Sequence, residues 1–116
     1  MVCVPVLGEA WDIYKENWVQ LDAPRHFVLH TEKSMGILAE KTGFTVAKTI
    51  FDSTAFQFWG SELYERDIPL TLPRTHQRYP IEEIFTPDEL DGFGKRSAAL
   101  NAKQRGDSAR FYLYKK

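Results

Sequence analysis

Cysteine is almost absent: Cys3 is the only one in 116 residues. With no partner for an intrachain disulfide, a disulfide-stapled secreted scaffold is excluded. Charge of one sign is also lacking, since 15 basic and 16 acidic residues leave a formal net charge of −1. No basic stripe exists to neutralise phosphates, so no nucleic-acid partner is expected, and the pair Lys115-Lys116 is too small to change that. No apolar run approaches the roughly 20 residues needed to span a bilayer, so no membrane partner is expected either. The seven glycines build no Gly-rich turn between a strand and a helix, the feature that lets a backbone approach a nucleotide. Gly92-x-Gly94 falls inside a predicted helix instead. Internal repeats and low-complexity segments are missing, and there is no G-x-S-x-G elbow to expose a nucleophilic serine. A lone thiol without a signal-peptide pattern suits the cytoplasm.

What the chain does have is aromatic side chains, 14% of its residues. A disordered polymer does not carry them, and the length fits one domain, residues 1–116. Met1 to Val6 is an apolar run that reads as a buried strand of the kind found inside a parallel sheet, with Cys3 as a small buried hydrophobe. Gly8 to Val19 has helical spacing, and Trp11, Tyr14 and Trp18 share a face at i, i+3, i+7. Those three either fill a core or form an aromatic lid over a small-molecule pocket. Leu21 to His30 is a loop, because Pro24 biases Ala23 toward extended geometry. Thr31 offers an N-cap for a helix over 32–42, and Gly43 sits where a left-handed residue ends it. Phe44 to Phe51 (FTVAKTIF) reads as a strand with imperfect alternation.

Thr54 to Glu65 is an aromatic-heavy helix or pair of turns, weakened by Gly60. Residues 66–85 form an excursion loop rich in proline, with His76 solvated. Thr86-Pro87-Asp88-Glu89 is a capping box with proline in the first helical position, opening a helix that runs to about Gln104 and stops at Gly106. Ala109 to Tyr114 alternates as a final strand. The order β-α-loop-α-β-α-α-β predicts an α/β protein with three strands and about four helices.

The stretch LDAPRHFVLHTEKS concentrates polar chemistry. Asp22, His26 and His30 are spaced i, i+4, i+8, which would suit a metal on one helical face. Pro24 lies inside the span and opposes a helix, and no Cys or Glu cluster completes a zinc set. Alternatively Asp22, Arg25 and His26 position a substrate, with His26 moving a proton near neutrality. In the plainest reading Asp22 pairs with Arg25, and His26 packs under the next helix.

The run PRHFVLHTEKSMGILAEKTGFTV, Pro24 to Val46, resembles the C-terminal half of class I S-adenosylmethionine-dependent methyltransferases. Its carriers are the Pro24-Arg25-His26 triplet, the apolar Phe27 to Leu29, the Thr31 cap, Ser34-Met35 and Gly43-Phe44 leading into a strand. The opening VCVPV is similar to the fifth strand of that Rossmann-like fold. The closing ARFYLYKK is similar to its last strand, which lies antiparallel between the fifth and sixth. The resemblance extends over most of the chain and is weak over 54–85. It implies a three-stranded mixed sheet with the last strand in the middle. It also implies a substrate side built by Trp11, Tyr14, Trp18, Asp22 and Arg25, with His26 as base or orienting group.

The family's cofactor site lies in its N-terminal half, and none of that half is present. The resemblance therefore implies S-adenosylmethionine for a full-length enzyme acting on a small-molecule methyl acceptor, no cofactor on this chain alone, and no activity alone. An apolar strand at 1–6 without a neighbour is an association hazard, so a homodimer through it is expected. Two other readings stand beside this one. The chain is an interaction module pairing along that edge, or a small metal-assisted enzyme using Asp22, His26 and His30.

Overall fold

A computed structural model describes residues 1–21, 29–72, 74, 75 and 77–116. Its elements are β1 (Val2–Pro5), α1 (Glu9–Tyr14), α2 (Glu32–Lys41), β2 (Phe44–Phe51), α3 (Phe56–Glu65), α4 (Pro87–Ala102) and β3 (Ser108–Lys115). Short 3-10 turns cover Lys15–Asn17, Val19–Leu21 and Ile81–Glu83. The protein is α/β with a three-stranded sheet in the order β1-β3-β2.

The last strand lies in the middle, as expected, but the sheet is not mixed. β3 runs antiparallel to both neighbours. β1 and β2 therefore point the same way without touching. β1 is also no buried central strand. It is an edge, with Cys3 exposed and Val2, Val4 and Pro5 half-buried. Among the described residues only β3 pairs with it as a strand. Proline lacks the N–H a ladder needs, and edges are where strands tolerate it. On the other side of the chain end, Val6 forms an isolated bridge with His30, and Leu7 N donates to His30 O at 2.9 Å.

The imperfect alternation of FTVAKTIF has a local cause. A bulge between Val46 and Lys48 inserts Ala47. Before it Val46 pairs with Leu113, and after it Thr49 pairs with Phe111 and Phe51 with Ala109. The inward parity switches from even to odd residues, as one extra residue requires. Val2 and Val4 face the same side, opposite Phe111 and Ala109. α2 covers that side, with Met35 packed among Val6, Ala109 and Phe111.

α2 is capped as its sequence indicates. Thr31 Oγ1 accepts from Ser34 N at 3.0 Å, and Ser34 Oγ accepts from Thr31 N at 2.9 Å. Such a cap contributes about 1 kcal/mol. Gly43 has φ +85° and turns the chain into β2, a conformation that costs glycine little. Thr86 and Glu89 close the matching box on α4, with Pro87 at its start.

Two helix predictions need correction. The helix expected over 8–19 ends at Tyr14, because Lys15 adopts φ 50°. Trp18 therefore stands outside it. α4 ends at Ala102, and the left-handed residue after it is Gln104 at φ 58°, not Gly106. Between α3 and α4, Leu72 N donates to Gln77 O and Tyr79 N to Leu70 O, each at 2.8 Å, making a small hairpin of the excursion. His76 lies outside the described residues.

The core is divided. One cluster lies under α2. A second joins Ala10, Tyr14, Trp18, Phe58 and Leu100, and a third joins Leu63, Ile81 and Phe85. Phe93 of α4 links the last two, stacked on Phe58 at 5.7 Å and edge-on to Phe85 at 5.5 Å. The radius of gyration is 15.7 Å, against about 13 Å for a compact chain of this size. Among the described residues no helix is long and apolar enough to cross a membrane.

Candidate functional site

Two neighbouring regions hold the chemistry. The first is a polar junction where β1 and β2 end and β3 begins. Gly8 follows β1, and a Cβ there would overlap the carbonyl oxygens of Gly106 and Arg105. A Cβ on Gly106 would overlap Ser53 Oγ and meet Asn101 Oδ1 at 2.6 Å. Only glycine permits either approach. Around them Ser53 N donates to Asn101 Oδ1 at 3.0 Å, and Asn101 Nδ2 donates to Ser53 O at 2.9 Å. Ser108 N donates to Ser53 Oγ at 2.9 Å.

Asp107 is 1% exposed. Trp18 Nε1 donates to its Oδ2 at 3.0 Å. Burial raises the Asp107 pKa, and the hydrogen bonds from Trp18 and Ser53 oppose that rise without cancelling it. Desolvation disfavours the carboxylate more than two donors favour it.

The second region is a cleft of about 490 Å³ lined by Val19, Gln20, Phe56, Tyr64, Pro69, Leu70 and Thr71. α3 builds one wall, since Phe56, Gly60 and Tyr64 recur at i, i+4, i+8 and share a face. A Cβ on Gly60 would lie 2.8 Å from Val19 Cγ2 and 2.9 Å from the Phe56 ring, so both pack directly on this glycine. Ser61 fixes the opposite wall. Its Oγ accepts from Val19 N at 3.0 Å and donates to Gln57 O at 2.7 Å. The hairpin strand Pro69–Thr71 closes the third side. Its volume lies in the range of small-molecule sites, and its lining mixes apolar with polar groups.

The residues singled out from sequence are distributed unevenly. Tyr14 is buried, and its hydroxyl donates to Glu62 Oε1 at 3.2 Å. Burial first, then the Glu62 charge, raises the Tyr14 pKa, which keeps the phenol protonated. Trp18 is fully buried on Asp107. Trp11 is half-buried, edge-on to Trp18 at 6.1 Å, with Lys15 Nζ 5.3 Å from its ring centre. The three aromatics thus come together, although a single helix does not carry them. Asp22, Arg25 and His26 lie outside the described residues. His30 is half-buried, with Nδ1 3.2 Å from Ser34 Oγ. Among the described residues no group of three His, Cys, Asp or Glu side chains is placed to hold a metal ion.

Sequence reasoning missed Gln20, Phe56, Tyr64 and Pro69 to Thr71 as site residues. The signal was the i, i+4, i+8 pattern of aromatic, glycine, aromatic in FQFWGSELY, followed at once by the proline-rich excursion.

A Rossmann-like cofactor site needs a glycine open to the ligand where a strand meets a helix. Gly8 holds that place, but its open side is filled by this chain's own carbonyls. Among the described residues, the turn at Gly8 therefore offers a cofactor no backbone approach. Comparison of the chain with family models, curated proteins and solved structures finds no match.

Proposed function

We propose that the chain supplies the acceptor-substrate side of an S-adenosylmethionine-dependent methyltransferase, with the cofactor held by a separate part. The observation that carries this reading is the strand order β1-β3-β2, in which the closing strand lies antiparallel between two strands that run the same way. It accompanies the sequence resemblance over Pro24 to Val46, including a capped helix, a left-handed Gly43 and a strand. The cleft lined by Val19 and Gln20 supports an acceptor site there. In-line methyl transfer depends chiefly on holding nucleophile and methyl donor in line. In this reading the cleft holds the acceptor, and His26 orients it or takes its proton. A cytoplasmic setting accompanies it, since an exposed free thiol such as Cys3 suits a reducing compartment.

The test is a methyl-transfer assay with radiolabelled S-adenosylmethionine. The chain is expected to be inactive by itself. Joined to the coding sequence that precedes Met1 in its reading frame, or to the product of the adjacent gene, it is expected to transfer methyl groups. If neither carries a Gly-rich strand-turn-helix, the proposal fails.

The edge of β1 favours a second reading, pairing with another polypeptide or a second copy along Met1 to Val6. Among the described residues, the side of this strand away from β3 meets the chain only through the His30 contacts at Val6 and Leu7. Sedimentation showing a monomer at every concentration would remove the homodimer.

A further inference from the structure

We propose that the chain pairs with a second copy of itself in an antiparallel, two-fold contact, in which the basic sheet layer of one copy lies beside the acidic helical layer of the other. This contact is separate from pairing along β1, and it does not rest on the methyltransferase reading.

A net charge of −1 hides a segregation. The sheet and α2, residues 1–6, 29–51 and 108–116, carry six basic and two acidic residues, a formal charge of +4. The helical layer, residues 7–21 and 52–107, carries eight basic and thirteen acidic residues, a formal charge of −5. Asp22 and Arg25, the charged residues of the stretch between, cancel. β2 and β3 meet the helical layer at Ser53 and Ser108 and reach the far end where Lys116 N donates to Gly43 O at 2.9 Å. Eight strand residues span about 26 Å, half of the 50 Å long axis. The field of such a molecule steers a second copy into antiparallel register. A two-fold contact closes and satisfies both ends at once, whereas head-to-tail stacking leaves one end of each kind open.

Two exposed isoleucines match the charges around them. On α2, Lys33, Ile37 and Lys41 recur at i, i+4, i+8 and share a face. On the helical layer, Ile13 stands between Glu9 and Glu16, with Asp12 beside it. Ile37 is 48% exposed and Ile13 43%. α1 and α2 start from one point, since Leu7 N donates to His30 O at 2.9 Å and each helix begins two residues later. A two-fold axis near that point sets α1 of one copy against α2 of the other, isoleucine toward isoleucine and acids toward bases. A side 50 Å long and 23 Å deep has room for the roughly 800 Å² per partner of a stable interface.

The experiment is sedimentation equilibrium of the chain at about 0.01 M and about 1 M salt, where charges act over about 30 Å and about 3 Å. A dimer is expected at the lower salt, with at least a tenfold loss of affinity at the higher. Two variants then swap the charges at exposed positions. Lys33→Glu, Lys41→Glu and Lys115→Glu together take the sheet layer from +4 to −2. Glu16→Lys, Glu65→Lys and Glu83→Lys together take the helical layer from −5 to +1. Each variant alone is expected to be monomeric, and their equimolar mixture to restore the pair, which also shows that both fold. The methyl NMR signals of Ile13 and Ile37 are expected to shift as the unmodified chain dimerises. A dimer indifferent to salt, as β1 pairing would give, overturns the proposal. So does a monomer at low salt, a mixture that stays monomeric, or Ile13 and Ile37 signals that do not move as the dimer forms.

Discussion

The polar junction and the cleft lie close together and are built on opposite terms. At the junction, backbone meets backbone across Gly8 and Gly106, and Ser53, Asn101 and Asp107 find partners within the chain. At the cleft, the glycine of α3 is used to seat Val19 and the Phe56 ring, and about 490 Å³ of space is left beside them. The comparison teaches that glycine and polar side chains do not by themselves mark a binding site. What matters is whether the chain has already filled the approach they permit.

The strongest way to break this contrast is to change one side chain in each region. Gly8→Ala forces carbonyls of the 105–106 turn to move and is expected to cost about 3 kcal/mol of stability. Thr71→Ala, at the exposed cleft rim, is expected to stay within about 0.5 kcal/mol. Urea denaturation of both variants measures the difference. Similar losses would mean that the junction is not closed as described.

Trp18→Phe probes the same closure one layer deeper. It removes the indole donor from buried Asp107 and is expected to cost about 2 kcal/mol. Asp107→Asn then tests the electrostatics. The Asp107 pKa is raised in the folded protein by burial, so the folded state holds the proton more tightly than the unfolded one. Its contribution is fully present below the unfolded pKa and is lost as pH rises through the folded value. Stability measured across the acid range should lose that falling component in Asp107→Asn. Tyr14, also raised by burial, behaves alike at the other extreme. Stability should fall as pH rises above the unfolded value near 10, and Tyr14→Phe should remove that part of the fall.

The smallest expected effects lie at the helix starts, remote from both regions. Thr31→Ala and Thr86→Ala each remove one half of a capping box and are expected to cost about 1 kcal/mol apiece. Additivity in the double variant would show that α2 and α4 report separately on stability.

These caps were legible in the sequence because their chemistry is local. Thr31, Gly43, Thr86 and Pro87 each act within a few residues of their own position. The placement of the last strand between the other two was legible only through the resemblance. Features that depend on distant partners were not legible. Gly106 looks like a helix stop, and only its neighbours Ser53 and Asn101 reveal a packing glycine. The spacing of Trp11, Tyr14 and Trp18 suggests one helix, but Lys15 turns the chain at φ 50°. Ala47 looks like an ordinary strand residue, and the bulge that it makes appears only when β2 is paired with β3. The cleft needed three segments that are separated in sequence and joined by folding.

The account's central claim is that the strand ends are closed by the chain itself, which leaves the cleft as the place for a ligand and puts the cofactor elsewhere. Calorimetric titration of the purified chain with S-adenosylhomocysteine tests it most directly. The account predicts no heat of binding up to millimolar ligand. Micromolar binding would contradict it, because Gly8 would then have to open toward a ligand that its own neighbours now exclude.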